Sequence, residues 1–306
     1  MSNNTLLYIA GPTAVGKTAL SLSLAQHFDT EILSCDSRQF YSEMSIGTAV
    51  PTIKERERIP HHFIQHQSIQ NPYTVGDYER EALQKLESLF SDKKTVLLVG
   101  GSGLYADALM YGIDSFPEVP KEVRKEMRLL FESQGIEALH QLLKEKDPVY
   151  YQQVDLNNPV RLLRALEVCV SSSQPYSSFL KKIQKPRPFK IKIICIEAPR
   201  YLLYERINAR VDTMVTQGLV EEVKKLLPYK DATPLRTVGY QELFPFIEGK
   251  TGIDEALELV KRNSRRYAKR QITWFNKYDE ALRIPHSLSP EKVIALLEKT
   301  WQLKRN

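Results

Sequence analysis

The chain reads as an α/β protein, a parallel-sheet core interrupted by an all-helical insertion, and three observations predict it. Short apolar runs alternate with segments of helical period, each early run ends in a polar or glycine-rich motif, and residues 119–173 turn to charged amphipathic helix. Alternation of β and α segments calls for crossover connections, and crossovers make parallel sheets.

The first apolar run, 6–10, predicts a strand and leads into "GPTAVGKT", residues 11–18. Gly11, four residues, Gly16, Lys17 and Thr18 form a complete P-loop, in which backbone N–H groups and a lysine cradle linked phosphates and the hydroxyl reaches Mg²⁺. The core is therefore expected to be P-loop NTPase-like. The motif specifies a diphosphate or triphosphate, ATP included, without specifying a nucleotide. Helical period follows over 17–28, then a second strand over 31–35.

Behind that strand stands "DSRQFY", residues 36–41. Asp36 there suits indirect Mg²⁺ coordination, substrate orientation or proton acceptance, and equally an Asx turn closing the strand. "IPHHFIQH" places His61, His62 and His66 in a Pro-flanked loop without metal-ligand spacing, so structural or substrate-contacting histidines are expected. A helix over 75–90 and a third strand over 95–99 lead to "GGSGLY", residues 100–105. Its glycines and Ser102 fit either an anion-binding nest or a tight packed turn. Ligands of open α/β sheets bind beyond the carboxyl ends of the strands, so the three motifs should meet in one crevice.

The insertion is expected over 116–188, bounded by "FPEVP" and by a Ser- and Pro-rich stretch, leaving 1–115 and 189–306 as the core. Within it, Arg161 and Arg164 share a helix face, where acidic neighbours or RNA would each account for them. A fourth strand over 191–196 returns the chain to the sheet, and helices follow, with one further short strand over 281–284. Near the end, Lys261, Arg262, Arg265, Arg266, Lys269, Arg270 and Lys277 crowd one helix, with no acidic residue between Glu258 and Asp279. Arg262, Arg266 and Lys269 share a face and Leu259, Asn263, Tyr267 and Trp274 lie nearer another, so one side is cationic and the other packed. With few acids to pair with, a phosphate backbone is a fitting partner.

Bulk composition agrees with a globular chain: 306 residues, 42% hydrophobic, formal net charge +6. Three scattered cysteines argue against a disulfide framework or a thiolate zinc site, and suggest a reducing compartment. The N-terminal apolar run is too short for a signal peptide and no run approaches membrane-spanning length, so a cytoplasmic protein is expected.

Taken together, "GPTAVGKT", "DSRQFY", "IGTAVPT", "YTVGDY", "LLVGGSGLYADAL", "NNPVRLLRALEV", "RVDTMVTQGLVEEVKKL", "TVGYQEL" and "RRYAKRQITWF" follow the order and spacing of one family. The chain resembles the tRNA dimethylallyltransferases, also called tRNA isopentenyltransferases or IPP transferases, of bacterial type, over nearly its whole length. The resemblance implies transfer of a dimethylallyl group from dimethylallyl diphosphate to N6 of adenosine 37, beside the anticodon of tRNAs reading codons that begin with U. It makes Gly11, Pro12, Thr13, Ala14, Val15, Gly16, Lys17 and Thr18 the diphosphate loop, with Mg²⁺ near Thr18, and Asp36, Ser102 and Lys17 the catalytic set. It implies tRNA contacts by Asp36, Ser37, Arg38, Gln39, Ser102, Arg124, Val160, Arg161, Arg164, Arg262, Arg265, Arg266, Lys269 and Arg270, on a monomer.

The chain departs from the family pattern at Ser102, commonly Thr, at Val160, where a basic residue is usual, and in the turn "SSSQPYS". A P-loop kinase of a small molecule or nucleoside is the competing reading; it would supply an adenine pocket and leave the basic helix unexplained.

Overall fold

The central strand β1 (Thr5–Ala10) is buried along its whole length, which fits its unbroken apolar sequence. A computed structural model of the chain describes residues 4–181 and 184–306. Residues 1–3 and 182–183, assigned from sequence to the core and the insertion, lie outside the described residues. In chain order β1 is followed by α1 (Lys17–His27), β2 (Ile32–Ser34), α2 (Ile53–Arg58), β3 (His61–His62), α3 (Val75–Leu89), β4 (Thr95–Val99) and α4 (Gly103–Tyr111). Next come α5 (Lys121–Lys146), α6 (Pro148–Tyr151) and α7 (Pro159–Ser172), then β5 (Lys190–Glu197), α8 (Arg200–Thr216), α9 (Leu219–Leu226), α10 (Phe244–Ile247), α11 (Ile253–Phe275), β6 (Leu282–Pro285) and α12 (Pro290–Trp301).

The strands form one six-stranded sheet in the order β3-β2-β4-β1-β5-β6. Every pairing is parallel, with Leu7 opposite Leu97 on one side and Lys192 on the other. The chain leaves β1 toward β2 and leaves β5 toward β6, so a crevice opens where the carboxyl ends of β1 and β5 diverge. Alternate side chains feed two cores. Leu6, Tyr8, Leu33, Val96, Leu98 and Ile193 face one side, and Leu7, Ile9, Ile32, Leu97 and Ile194 face the other. Each such fully buried aliphatic side chain contributes roughly 2 kcal/mol.

The chain divides into two compact units, Met1–Tyr111 with Pro186–Asn306, and Gly112–Lys185. The second has its own core of Met127, Leu139, Leu143, Leu162 and Leu166. Among the described residues no helix is long and apolar enough to cross a membrane.

Two expectations change. His61 and His62 form a two-residue edge strand and not a loop, a pairing with β2 too short to register as periodicity. Nor is 119–173 continuous helix: Gly135 sits at φ 76°, and the chain is not helical over 152–158. Glycine tolerates that backbone where other residues would resist it.

Candidate active site

Behind β1 the P-loop takes its shape from two glycines. At Gly11, with φ 147°, a Cβ would lie 3.0 Å from the Ile196 carbonyl oxygen of neighbouring β5, and Gly16, with φ 109°, caps α1 in the left-handed region. The loop thereby wraps the N-terminus of α1, whose N–H groups and dipole favour an anion. Lys17 Nζ donates to the Gly11 and Pro12 carbonyls at 2.8 and 2.9 Å. Burial lowers its pKa to about 8, with Asp36 opposing the shift and Arg210 adding to it.

Asp36 stands just beyond β2 and serves the local turn as well as the crevice. Its Oδ1 accepts the Arg38 N–H at 3.2 Å, and its own N–H donates to Ser34 Oγ at 3.2 Å. Among the described residues its Oδ2 accepts no hydrogen bond. The third motif packs directly against this loop, because a Cβ at Gly100 would lie 2.6 Å from the Asp36 nitrogen. Ser102 Oγ accepts the Ser37 N–H at 3.1 Å and lies 3.0 Å from Ser37 Oγ. The Arg38 guanidinium rests 3.9 Å from the centre of the Tyr267 ring.

A cavity of about 410 Å³ joins these parts, and Gly16, Lys17, Thr18, Asp36, Arg38 and Gln39 line it. Ser102 stands behind the Asp36 loop and is not among the lining residues. Gln39 gives its amide to the carbonyls of Thr48 and Ala49, at 3.3 and 3.0 Å, and accepts Ser34 Oγ at 3.3 Å. Beyond the phosphate cradle the wall turns aliphatic, with Ile207, Val211, Met214, Val238 and Val260.

Two lining residues were not singled out from the sequence. Arg210 of α8 donates to Thr13 Oγ1 at 3.3 Å, and burial lowers its pKa against the pull of Asp36. Gln271, only 5% exposed, bridges two motifs: its Oε1 accepts the Thr13 N–H at 2.8 Å and its Nε2 donates to the Gly101 carbonyl at 2.9 Å. A signal for both existed. Each is a polar residue on the apolar stripe of its helix, Arg210 among Ile207, Val211 and Met214, and Gln271 among Val260, Ala268 and Phe275.

The fully packed stripe of α11 runs through Ala256, Val260, Ala268, Gln271 and Phe275, and Leu259, Asn263, Tyr267 and Trp274, read from the sequence as the packed side, flank it half-buried, with Trp274 against the core. Arg262, Arg266, Lys269 and Arg270 are exposed, and among the described residues none forms an ion pair with a carboxylate. The basic cluster is less free of acids than its sequence implied. Lys261 pairs with Asp212 at 2.8 Å and Lys277 with Asp107, both carboxylates arriving from distant helices. Arg265 bonds Asn208 at 2.7 Å and so faces α8, away from the exposed row.

In the second unit, Arg161 and Arg164 lie on α7, where Val160 is 73% exposed, and Arg164 sits 3.9 Å from Glu167 and 5.5 Å from the Phe116 ring centre. Arg124 lies on α5 of the same unit. The histidines have structural partners: His62 bonds Glu31 at 2.5 Å, His61 donates to the Ile59 carbonyl at 2.7 Å, and His66 packs edge-on against Phe40, Phe63 and Tyr73. Among the described residues no cluster of His, Cys, Asp and Glu forms a protein-only metal site. The Thr18 hydroxyl and Asp36 line one cavity, a sparse donor set that suits Mg²⁺ held largely by substrate phosphates.

The IPP transferase family model matches residues 39–278. A tRNA dimethylallyltransferase of Flavobacterium psychrophilum is 46% identical over 300 residues, covering 96% of this chain and 98% of its own, and one of Christiangramia forsetii is 50% identical over 278 residues, 91% and 92%. The crystal structure of full-length tRNA isopentenylpyrophosphate transferase from Bacillus halodurans superposes with a TM-score of 0.72 at 33% identity, over 98% of this chain and 96% of its own. The cradle, the Asp36 loop and the helix that Gln271 ties to them fall within or beside a match that takes in most of the sequence, and the chain belongs to the IPP transferase family.

Proposed function

We propose that this chain transfers a dimethylallyl group from dimethylallyl diphosphate to N6 of adenosine 37 in the anticodon stem-loop of tRNAs that read codons beginning with U. The observation that carries the donor assignment is the change in the cavity wall. The cavity that holds the Thr13–Thr18 part of the phosphate cradle is also lined by the side chains of Ile207, Val211, Met214, Val238 and Val260, which suits a short hydrocarbon tail beside the diphosphate. The kinase alternative is not favoured: close relatives are named as dimethylallyltransferases, and no phosphoryl group needs to move.

In this reading the loop N–H groups, Lys17 and Arg210 bind the diphosphate and stabilise the negative charge that grows as it leaves. The donor C1–O bond breaks with its electron pair going to diphosphate, and the new C–N bond forms from the N6 lone pair. Asp36 Oδ2 accepts the proton that N6 gives up. Mg²⁺, held by Thr18 together with diphosphate oxygens, would supply further charge neutralisation. Ser102 acts by holding Ser37 and hence the Asp36 loop. Gln39, whose amide N–H groups are taken by the Thr48 and Ala49 carbonyls, offers its Oε1 to the adenine edge.

Adenosine 37 must leave the anticodon stack to reach Asp36. The exposed row Arg262, Arg266, Lys269 and Arg270 follows RNA phosphates, with Arg265 supporting it through Asn208. Arg124, Val160, Arg161 and Arg164 meet the anticodon loop from the second unit. The enzyme is cytoplasmic and works as a monomer.

Incubation with unmodified tRNA, Mg²⁺ and labelled dimethylallyl diphosphate, and in parallel with labelled ATP, tests the proposal. Label entering tRNA from the prenyl donor alone is expected. Label from ATP alone, or from neither, overturns it.

A further inference from the structure

The turn that follows the Asp36 loop is held by a carboxylate that none of the preceding chemistry uses. Glu222, on α9, accepts the consecutive N–H groups of Ser45, Ile46 and Gly47 at 3.0, 2.8 and 3.0 Å, and the Tyr240 hydroxyl at 2.7 Å. Three successive backbone N–H groups pointing inward form a nest for an anion. Here the chain supplies the anion itself. The Tyr240 ring closes the arrangement from the other side, since a Cβ at Gly47 would lie 2.6 Å from it.

What the nest holds matters for the cavity. Gly47, Thr48 and Ala49 form part of its lining, as do the aliphatic side chains of α8, and Thr48 and Ala49 also receive the Gln39 amide. Glu222 follows α8 across a single turn, so it clips this wall onto the body that carries Arg210, Val211 and Met214.

We infer that Glu222 is a positioning residue for the transfer reaction: through the Ser45–Gly47 nest it fixes the wall that confines the prenyl donor. The inference rests on the prenyl-transfer reading and names a residue that reading does not require. Glu222 touches no reacting atom, so its effect should fall on donor binding and fit more than on the chemical step.

Glu222→Gln keeps the size but turns an N–H donor toward the nest, and Tyr240→Phe removes one hydrogen bond while keeping the ring against Gly47. In Glu222→Gln, KM for dimethylallyl diphosphate should rise tenfold or more, as a rough expectation for a displaced binding wall, with kcat at saturating donor falling only a fewfold. Binding of dimethylallyl thiolodiphosphate should weaken in parallel, the ten-carbon donor should be discriminated against less, and tRNA affinity should hold. Tyr240→Phe should move the same quantities by less.

An unchanged KM and analogue affinity in a folded Glu222→Gln protein overturns the inference, as does an equal loss of donor and tRNA binding alongside a lowered melting temperature. If the wild type transfers no dimethylallyl group, the prenyl-transfer reading falls. Calorimetry with the thiolodiphosphate analogue then still decides whether Glu222 shapes the cavity.

Discussion

In the proposed reaction the two oxygens of Asp36 have separate roles, since Oδ1 accepts the Arg38 N–H and Oδ2 has no such bond among the described residues. Asp36→Asn separates the roles, because the amide oxygen can still accept from Arg38 while the base is lost. Steady-state kinetics should show kcat reduced by about 10²–10⁴, the usual worth of a positioned base, with tRNA affinity nearly unchanged. A variant with near-normal turnover would remove Asp36 from that role. Lys17 has its own signature in pH. Its pKa of about 8 means that the ammonium is present below that pH and is lost as pH rises through it. A bound diphosphate favours the charged form and pulls the titration upward. Affinity for a non-reacting donor analogue should therefore fall above about pH 8, with proton uptake on binding in calorimetry across buffers of different ionisation enthalpy; pH-independent binding from 7 to 9 would contradict this.

At the scale of elements, α11 does two jobs on two faces. Its packed stripe sends Gln271 to Thr13 and Gly101, and its outer face carries Arg262, Arg266, Lys269 and Arg270, none of them ion-paired with a carboxylate among the described residues. Cations that neutralise RNA phosphates release counterions, so the salt dependence of binding counts them. Replacing Arg266, Lys269 and Arg270 together by Ala should reduce the slope of log K against log salt by roughly 2, with kcat at saturating tRNA little changed. An unaltered slope would place the RNA elsewhere. This helix also shows the limit of reading charge from one segment. The absence of acids between Glu258 and Asp279 is plain in the sequence, whereas Asp212, which joins Glu258 at Lys261, and Asp107, which reaches Lys277, come from other helices.

Across the whole molecule, bonds between remote segments keep the sheet's flanking layers in register. Arg187 reaches Glu79 at 2.7 Å and the Ala108 carbonyl at 2.7 Å, with both charged side chains no more than 10% exposed. Arg187→Met removes a buried charged partner from Glu79 and the donor to the Ala108 carbonyl, and should lower unfolding free energy in urea by about 1–3 kcal/mol. The double variant with Glu79→Leu should recover much of that loss, since a matched apolar pair avoids the desolvation cost of two ions. A single-variant loss below about 1 kcal/mol would show that water reaches the pair.

The sequence by itself determined five of the strands, β3 excepted, within a residue or so at either end, and the motif behind each of β1, β2 and β4. Apolar runs report burial, and glycine or polar residues behind them report turns, because both are local consequences of residue chemistry. It also carried the family, through motifs spread along the chain. Only the tertiary structure decided that Arg210 joins the P-loop, that Gln271 ties Thr13 to Gly101, and that Glu222 fills a nest formed by residues 45–47. Those partners are 170 or more residues apart in sequence. Which buried donor meets which acceptor depends on how the helices cross the sheet, and no local period records that.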